Sequence, residues 1–294
     1  MQMIQTISAL RSALKNQNNI AFVPTMGNLH AGHIHLVNIA KQHGQCVVVS
    51  IFVNPLQFGA NEDLSAYPRT LQADCEKLNA AGADIVFTPS VAEIYPQMVE
   101  SKSGDKNLNQ DMTIQPPPIA NVLCGASRLS HFAGVATVVM KLFNIVQPDV
   151  AVFGKKDFQQ LFIINEMVKQ FNLPIKIIAG ETVREANGLA LSSRNGYLNE
   201  QQLASASQLN SALQGIVSAI KNGNRSFLQL ETQANLKLSQ QGWDVDYISI
   251  RSADTLQPAT ALDKNLIVLG AAKIGNKNAG KTRLIDNIAL CITY

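Results

Sequence analysis

Between Ile20 and Ile178, five apolar runs of strand length alternate with segments whose apolar residues recur at helical spacing. Few architectures accept that alternation, and it predicts parallel strands joined by helical crossovers. The predicted strands are Ile20 to Val23, Cys46 to Val53, Ile85 to Phe87, Val150 to Phe153 and Ile175 to Ile178. The predicted helices are Gly32 to His43, Thr70 to Ala81 closed by Gly82, Gly134 to Val146, and Asp157 to Phe171. From Ala186 the texture changes to helical stretches over Glu200 to Lys221 and Ser226 to Gln241, then strand-like Asp244 to Ile250, Leu266 to Ala272 and Arg283 to Cys291. A chain of 294 residues has room for roughly two domains. The expected fold is α/β: a Rossmann-like parallel-sheet domain over 1–181 and a smaller α+β domain over 182–294. Glu100 to Asn121, with its three consecutive prolines, has no periodicity and is expected to be an extended or mobile loop.

The clearest chemical signal follows the first of these strands, where Pro24-Thr25-Met26-Gly27-Asn28-Leu29-His30-Ala31-Gly32-His33 opens the first helix. Unpaired N–H groups and the dipole at a helix amino end favour anions. Glycines there let a phosphate chain approach the backbone, and two imidazoles can donate to phosphate oxygens as charge shifts onto them. The site suits a nucleoside triphosphate. Two other roles compete for these histidines, plain helix capping and metal ligation by His30, His33 and His35. On a helix His33 and His35 point apart, and no acidic residue lies nearby in sequence to complete a zinc site.

Three further segments add polar groups. Phe153-Gly154-Lys155-Lys156-Asp157-Phe158-Gln159-Gln160 spans another strand-to-helix junction, so it is expected at the same carboxyl edge of the sheet. Lys156 is placed to face phosphates, Asp157 to cap the helix or hold a ribose hydroxyl, and Gln160 to present its amide to a substrate. Leu191-Ser192-Ser193-Arg194-Asn195 supplies hydroxyls and a guanidinium suited to phosphate oxygens. Asn54 and Gln57, in Ile51-Phe52-Val53-Asn54-Pro55-Leu56-Gln57-Phe58, are neutral hydrogen-bonding groups beside apolar surface, which suits a small polar acid with a branched skeleton.

Several classes of function fall away. Gly275 to Thr282 matches the letters of a Walker A loop, but the residues after it read as a strand, so a Gly/Asn-rich hairpin connection is expected. The net charge of +3 carries no basic block, which argues against nucleic acid as the main partner. No apolar stretch approaches the roughly 20 residues of a membrane span, and Met1 to Lys15 has no signal-peptide core. Four cysteines, Cys46, Cys75, Cys124 and Cys291, lie far apart without a C-x-x-C pair, so a reduced, cytoplasmic setting is expected. Charged residues are only 15% of the chain while hydrophobic ones are 46%, so charge-driven disorder is excluded.

PTMGxLHxGH, IFVNPLQF, Tyr67-Pro68-Arg69, FGxKDxQQ and LSSRN occur here in the order that marks the pantothenate synthetase family, and the chain resembles that family through Val245-Asp246-Tyr247 and on to Thr282-Arg283-Leu284-Ile285-Asp286-Asn287. The resemblance implies ATP-dependent ligation of (R)-pantoate to β-alanine through a pantoyl adenylate, with AMP and pyrophosphate released, in a homodimer whose Rossmann-like N-terminal domain carries a smaller C-terminal lid domain, with Mg²⁺ on the triphosphate. Carried over by position, it places Met26, Gly27, Asn28, Leu29, His30, Ala31, Gly32 and His33 around ATP, completed by Gly154, Lys155, Lys156, Asp157, Val183, Leu191, Ser192, Ser193 and Arg194. It gives catalytic roles to His33, His30, Lys156 and Arg194, and gives pantoate to Gln57 and Gln160, with Gln57 also near β-alanine and Asn54 supporting the pocket. Two alternatives stand beside this reading: transfer of AMP to a phosphorylated acceptor, and a silent nucleotide-binding module. Two departures stand out: Arg128-Leu129-Ser130-His131-Phe132 occupies the place of the family's R-P-G-H-F, and the preceding loop, Glu100 to Asn121, is longer than usual. Both leave the pose of that loop open.

Overall fold

The computed structural model describes residues 1–59, 64, 67–97, 110–276 and 280–292. Two compact units partition the chain, one of 1–155 with 160–181 and the other of 156–159 with 182–294.

The first unit is built on a six-stranded sheet of β1 (Gln2–Ile4), β2 (Ile20–Thr25), β3 (Cys46–Ile51), β4 (Ile85–Phe87), β5 (Val150–Gly154) and β6 (Lys176–Gly180). The order is β1-β4-β3-β2-β5-β6 and every pairing is parallel. The sequence predicts five strands; β1 is the addition, three residues that pair with β4 and are too short to display a period. The helices are α1 (Ile7–Leu14), α2 (Ala31–His43), α3 (Leu71–Ala81), α4 (Val91–Ile94), α5 (Cys124–Ser127), α6 (His131–Val146) and α7 (Phe158–Gln170). Pro118–Asn121 forms a 3-10 turn, which corrects the expectation of irregular chain through Asn121; residues 100–109 of that loop lie outside the described set.

Parallel sheets are covered on both faces, and β2 shows it by alternation. Phe22 points to the face where Leu10, Leu14, Val135, Val139 and Ile164 pack, whereas Ala21 and Val23 join Val37, Ala40 and Leu78 on the other. Strand β2 sits between β3 and β5, and the chain proceeds outward from it in both directions. Ligands of open α/β sheets bind at such a reversal, beyond the carboxyl ends of the strands. The loops after Thr25 and Gly154 therefore leave one edge from adjacent strands, paired through Ala21 with Val150.

The second unit carries α8 (Glu200–Ala206), α9 (Gln208–Lys221) and α10 (Phe227–Gln240), with an antiparallel sheet β7-β8-β9 of Asp244–Ser252, Asn265–Asn276 and Gly280–Cys291. The helical stretch predicted to run unbroken over Glu200 to Lys221 is interrupted at Ser207, which the apolar pattern, continuing on both sides, does not mark. One core holds the unit together, with Leu213, Ile220 and Leu238 of the helices meeting Ile250, Leu266 and Val268 of the sheet. The Walker-like letters fall across β8 and β9, which pair antiparallel out to Asn276 and Gly280, and Thr282 continues as strand. Residues 277–279 lie outside the described set. No helix among the described residues is long and apolar enough to cross a membrane.

Candidate active site

The loop from Met26 to His30 is held from behind. Gly27 at φ +83° and Asn28 at φ 50° turn the chain sharply, and a Cβ on Gly27 would lie 3.1 Å from both Asp74 Oδ2 and Ile51 Cγ2. The fully buried Asp74 of α3 accepts the backbone N–H of Asn28 at 2.9 Å and that of Leu29 at 2.8 Å, and its Oδ2 also accepts the Thr70 hydroxyl at 3.0 Å. Lys77, one turn on, donates to the Leu29 carbonyl at 2.7 Å, while Thr25 Oγ1 accepts from Gly27 N at 3.3 Å. Leu29 itself is buried and anchors the turn. Sequence reasoning missed Asp74 and Lys77; the available signal was an acid and a base three residues apart beside the core residue Leu78.

His30 and His33 cap α2 reciprocally. The ring Nδ1 of His30 accepts from Gly32 N at 3.1 Å, and the ring Nδ1 of His33 accepts from His30 N at 3.3 Å, a capping box made with two imidazoles. The rings lie 4.1 Å apart. Capping and chemistry are thus compatible: a nitrogen that accepts a backbone N–H carries no hydrogen, so in the neutral ring the hydrogen sits on Nε2 as a donor. Among the described residues no group of three His, Cys, Asp or Glu side chains is gathered to hold a metal ion.

Beside this loop lies a hydrogen-bonded pair of amides. Asn54, 1% exposed, donates from Nδ2 to the Gly134 carbonyl at 3.1 Å and to Gln57 Oε1 at 3.2 Å. Gln57 Nε2 contacts Met26 Sδ at 2.8 Å, which ties the amide pair to the histidine loop. Gly134 allows helix α6 to approach this closely, since a Cβ there would come within 2.3 Å of the Leu56 carbonyl oxygen. His131 Nδ1 meets the Gln57 carbonyl at 2.8 Å and its Nε2 meets Arg128 Nη1 at 2.8 Å. A carbonyl only accepts and a guanidinium only donates, so His131 is neutral with its hydrogen on Nδ1. Arg128 and His131 brace Gln57 despite the departure between them. Ser130 adopts the left-handed conformation, φ 64°, that a glycine would take at no steric cost, and Leu129 is 83% exposed.

After β5, Gly154 leads into a 3-10 turn over Lys155–Asp157, with Asp157 exposed and Gln160 partly buried in the first turn of α7. Lys155 pairs with Glu181. In the second unit the Lys156 carbonyl accepts from Asn287 Nδ2 at 2.8 Å. Val183 accepts from Leu191 N at 3.0 Å, Ser192 Oγ accepts from Arg194 N at 3.2 Å, and Asn195 Nδ2 donates to the Ala190 carbonyl at 3.1 Å. Val183 and Leu191 to Arg194, Ser193 included, are all partly exposed.

Against known proteins, residues 2–289 match the family model described as Pantoate-beta-alanine ligase. The chain is 64% identical over 292 residues to pantothenate synthetase of Methylobacillus flagellatus, covering 99% of both chains, and 54% identical to that of Thiobacillus denitrificans over 98% of this chain and 96% of the relative. Its structure is similar to a crystal structure of pantothenate synthetase from Thermus thermophilus, with TM-score 0.87 and 38% identity over 98% of this chain and 99% of the other. It is also similar to pantoate-beta-alanine ligase from Francisella tularensis complexed with beta-gamma ATP and beta-alanine, with TM-score 0.76 and 36% identity over 98% and 97%.

Proposed function

The chain belongs to the pantoate-beta-alanine ligase family, and from that premise we propose how its residues divide the joining of (R)-pantoate to β-alanine at the expense of ATP. The observation that carries the reading is the contact between Gln57 Nε2 and Met26 Sδ, which sets an acid-binding amide against the loop that presents His30 and His33.

A carboxylate is a poor electrophile and hydroxide a poor leaving group, so amide formation needs activation. The pantoate carboxylate attacks the α-phosphorus, the bond from that phosphorus to the bridging oxygen breaks, and pyrophosphate departs with the electron pair. Pantoyl adenylate remains. The amine of β-alanine then attacks the acyl carbon, loses a proton, and AMP leaves with the electrons of the carbon–oxygen bond. No protein nucleophile is required. The helix amino end at Met26 to His33 takes the nucleotide, with Nε2–H of His33 and His30 donating to the phosphates as charge accumulates. Gln57 and Gln160 hold pantoate, Asn54 supports that pocket, and Gln57 lies toward β-alanine. Gly154, Lys155, Lys156, Asp157, Val183, Leu191, Ser192, Ser193 and Arg194 complete the nucleotide site, Lys156 and Arg194 as cations.

Mg²⁺ belongs to this reading as an ion carried on the triphosphate, where it offsets charge on the departing pyrophosphate. Both oxygens of Asp74 are engaged by the loop, which would leave the ion to phosphate oxygens, water and the other polar groups of the site. The resemblance implies a homodimer, which light scattering checks; the cytoplasmic setting rests on the four scattered cysteines.

Purified protein with ATP, Mg²⁺, pantoate and β-alanine should release AMP and form the amide, and omission of either acid should stop amide formation. A nucleotidyl product retained on a phosphorylated acceptor, or nucleotide binding without turnover, would overturn the reading.

A further inference from the structure

The Gln57 amide has one orientation, and it is imposed from outside the pocket. Around Asn54, two backbone groups of fixed chemistry set the side chain: Leu56 N donates to Oδ1 at 3.3 Å, and the Gly134 carbonyl accepts from Nδ2 at 3.1 Å. A backbone N–H cannot accept and a carbonyl cannot donate. The Tyr95 hydroxyl, 2.7 Å from Oδ1, is therefore the donor of the shortest bond Asn54 makes, and the remaining Nδ2 hydrogen reaches Gln57 Oε1 at 3.2 Å. That engages Gln57 Oε1 and turns Nε2 toward Met26 Sδ, 2.8 Å away.

Tyr95 is built for this task. It is 1% exposed, its ring rests 6.1 Å from that of Phe52, and Lys141 Nζ of α6 lies 5.0 Å from the ring centroid. Burial pushes the phenol upward, so the hydroxyl keeps the hydrogen it donates.

We propose that Tyr95 is a positioning residue that acts through Asn54 to hold the Gln57 amide with its N–H face toward the acid, so that this side of the pocket selects an oxygen acceptor and turns away a donor. The inference rests on the assignment of Gln57 to pantoate. A carboxylate or hydroxyl oxygen satisfies Nε2, whereas an ammonium or amide N–H meets donor against donor.

Tyr95→Phe keeps the buried ring and removes only the donor. It should raise the KM for pantoate about fivefold to tenfold, the effect of one net hydrogen bond, with kcat and the KM for ATP within about twofold. In a Gln57→Ala background the same substitution should add less than about twofold, because a residue acting through Gln57 has nothing left to orient. An unchanged pantoate KM in Tyr95→Phe, or an equal rise with and without Gln57, overturns the relay. Gln57→Ala with an unchanged pantoate KM rejects the pocket assignment instead. Asn54→Asp gives a further arm: an ionised carboxylate still accepts from Tyr95 and Leu56 but can donate neither to Gln57 nor to the Gly134 carbonyl, so the pantoate KM should rise by more than in Tyr95→Phe. No rise there also overturns the relay.

Discussion

The carboxylate of Asp74 accepts the backbone N–H of Leu29 at 2.8 Å, and with its second oxygen that of Asn28 at 2.9 Å, so a side chain of α3 shapes the loop that carries the two histidines. Asp74→Ala takes the acceptor from the buried Leu29 N–H, at about 1–3 kcal/mol, and removes the bond to the partly buried Asn28 N–H as well. The variant should unfold at lower urea concentration by about 2–4 kcal/mol, and pantoate-dependent pyrophosphate exchange should fall more than tenfold. Full exchange activity would show that the loop needs no such brace.

His33 has two duties, and substitutions separate them. His33→Ala removes a cap worth about 1 kcal/mol and a donor worth about 10² to 10³ in the adenylation rate. His33→Gln places at this position the residue that capping boxes ordinarily carry, so its thermal midpoint should return toward that of the parent. Pyrophosphate exchange should stay depressed in both. Near-normal exchange in either variant would remove His33 from the chemistry.

These two residues also mark what a sequence discloses. The strand-loop-helix junctions at Thr25 to Ala31 and at Gly154 to Phe158 are local events, written in consecutive residues by a change of apolar period beside glycines. The histidine motif was legible for the same reason. Asp74 meets Leu29 across 45 positions, Tyr95 meets Asn54 across 41, and His131 meets Gln57 across 74, and no periodicity encodes such pairs. Strand β1 escaped because three residues have no measurable period, and the break at Ser207 because both flanking helices keep their apolar stripes.

Ser130 sits at φ 64°, and left-handed backbone costs a residue with a Cβ about 1–2 kcal/mol, part of which glycine returns as entropy of the unfolded chain. Ser130→Gly should therefore stabilise the protein by about 0.5–1 kcal/mol in urea unfolding. A loss of stability would mean that the serine side chain supplies a compensating contact.

Glu231 gives a dependence on pH. Its Oε1 accepts from Ile250 N at 2.6 Å, yet desolvation pushes its carboxyl above the ordinary 4.5, outweighing the hydrogen bonds and Arg251 that pull it down. A carboxyl raised in the folded state stabilises below its unfolded value, and that contribution is lost as pH rises through the folded value. Glu231→Gln keeps the acceptor for Ile250 and never ionises. Its melting midpoint relative to the parent should climb between about pH 4 and pH 7; a difference that is flat or falls would contradict the assignment.

In the second unit Arg184 grips Asp286 with both Nη atoms, each at 2.8 Å, and the aspartate side chain is 4% exposed against 25% for the arginine. Asn210 Nδ2 at 2.9 Å and Asn287 N at 2.7 Å fill the remaining carboxylate positions, while Arg184 also reaches the Gly188 and Asn287 carbonyls at 3.0 and 3.1 Å. This pair fixes the hairpin from Arg184 to Ala190, whose two ends continue into Val183 and Leu191 to Arg194. Removing one partner of a buried pair strands the other, at about 3–5 kcal/mol. Asp286→Ala should lose about that much in urea unfolding and should raise the KM for ATP more than the KM for pantoate, because the residues assigned to the nucleotide hang from this hairpin. Arg184→Met should cost a similar amount, and the double variant should cost clearly less than the two losses added, since neither then leaves a buried charge alone. Strict additivity would mean that the two residues act independently and that the hairpin is held by its backbone alone.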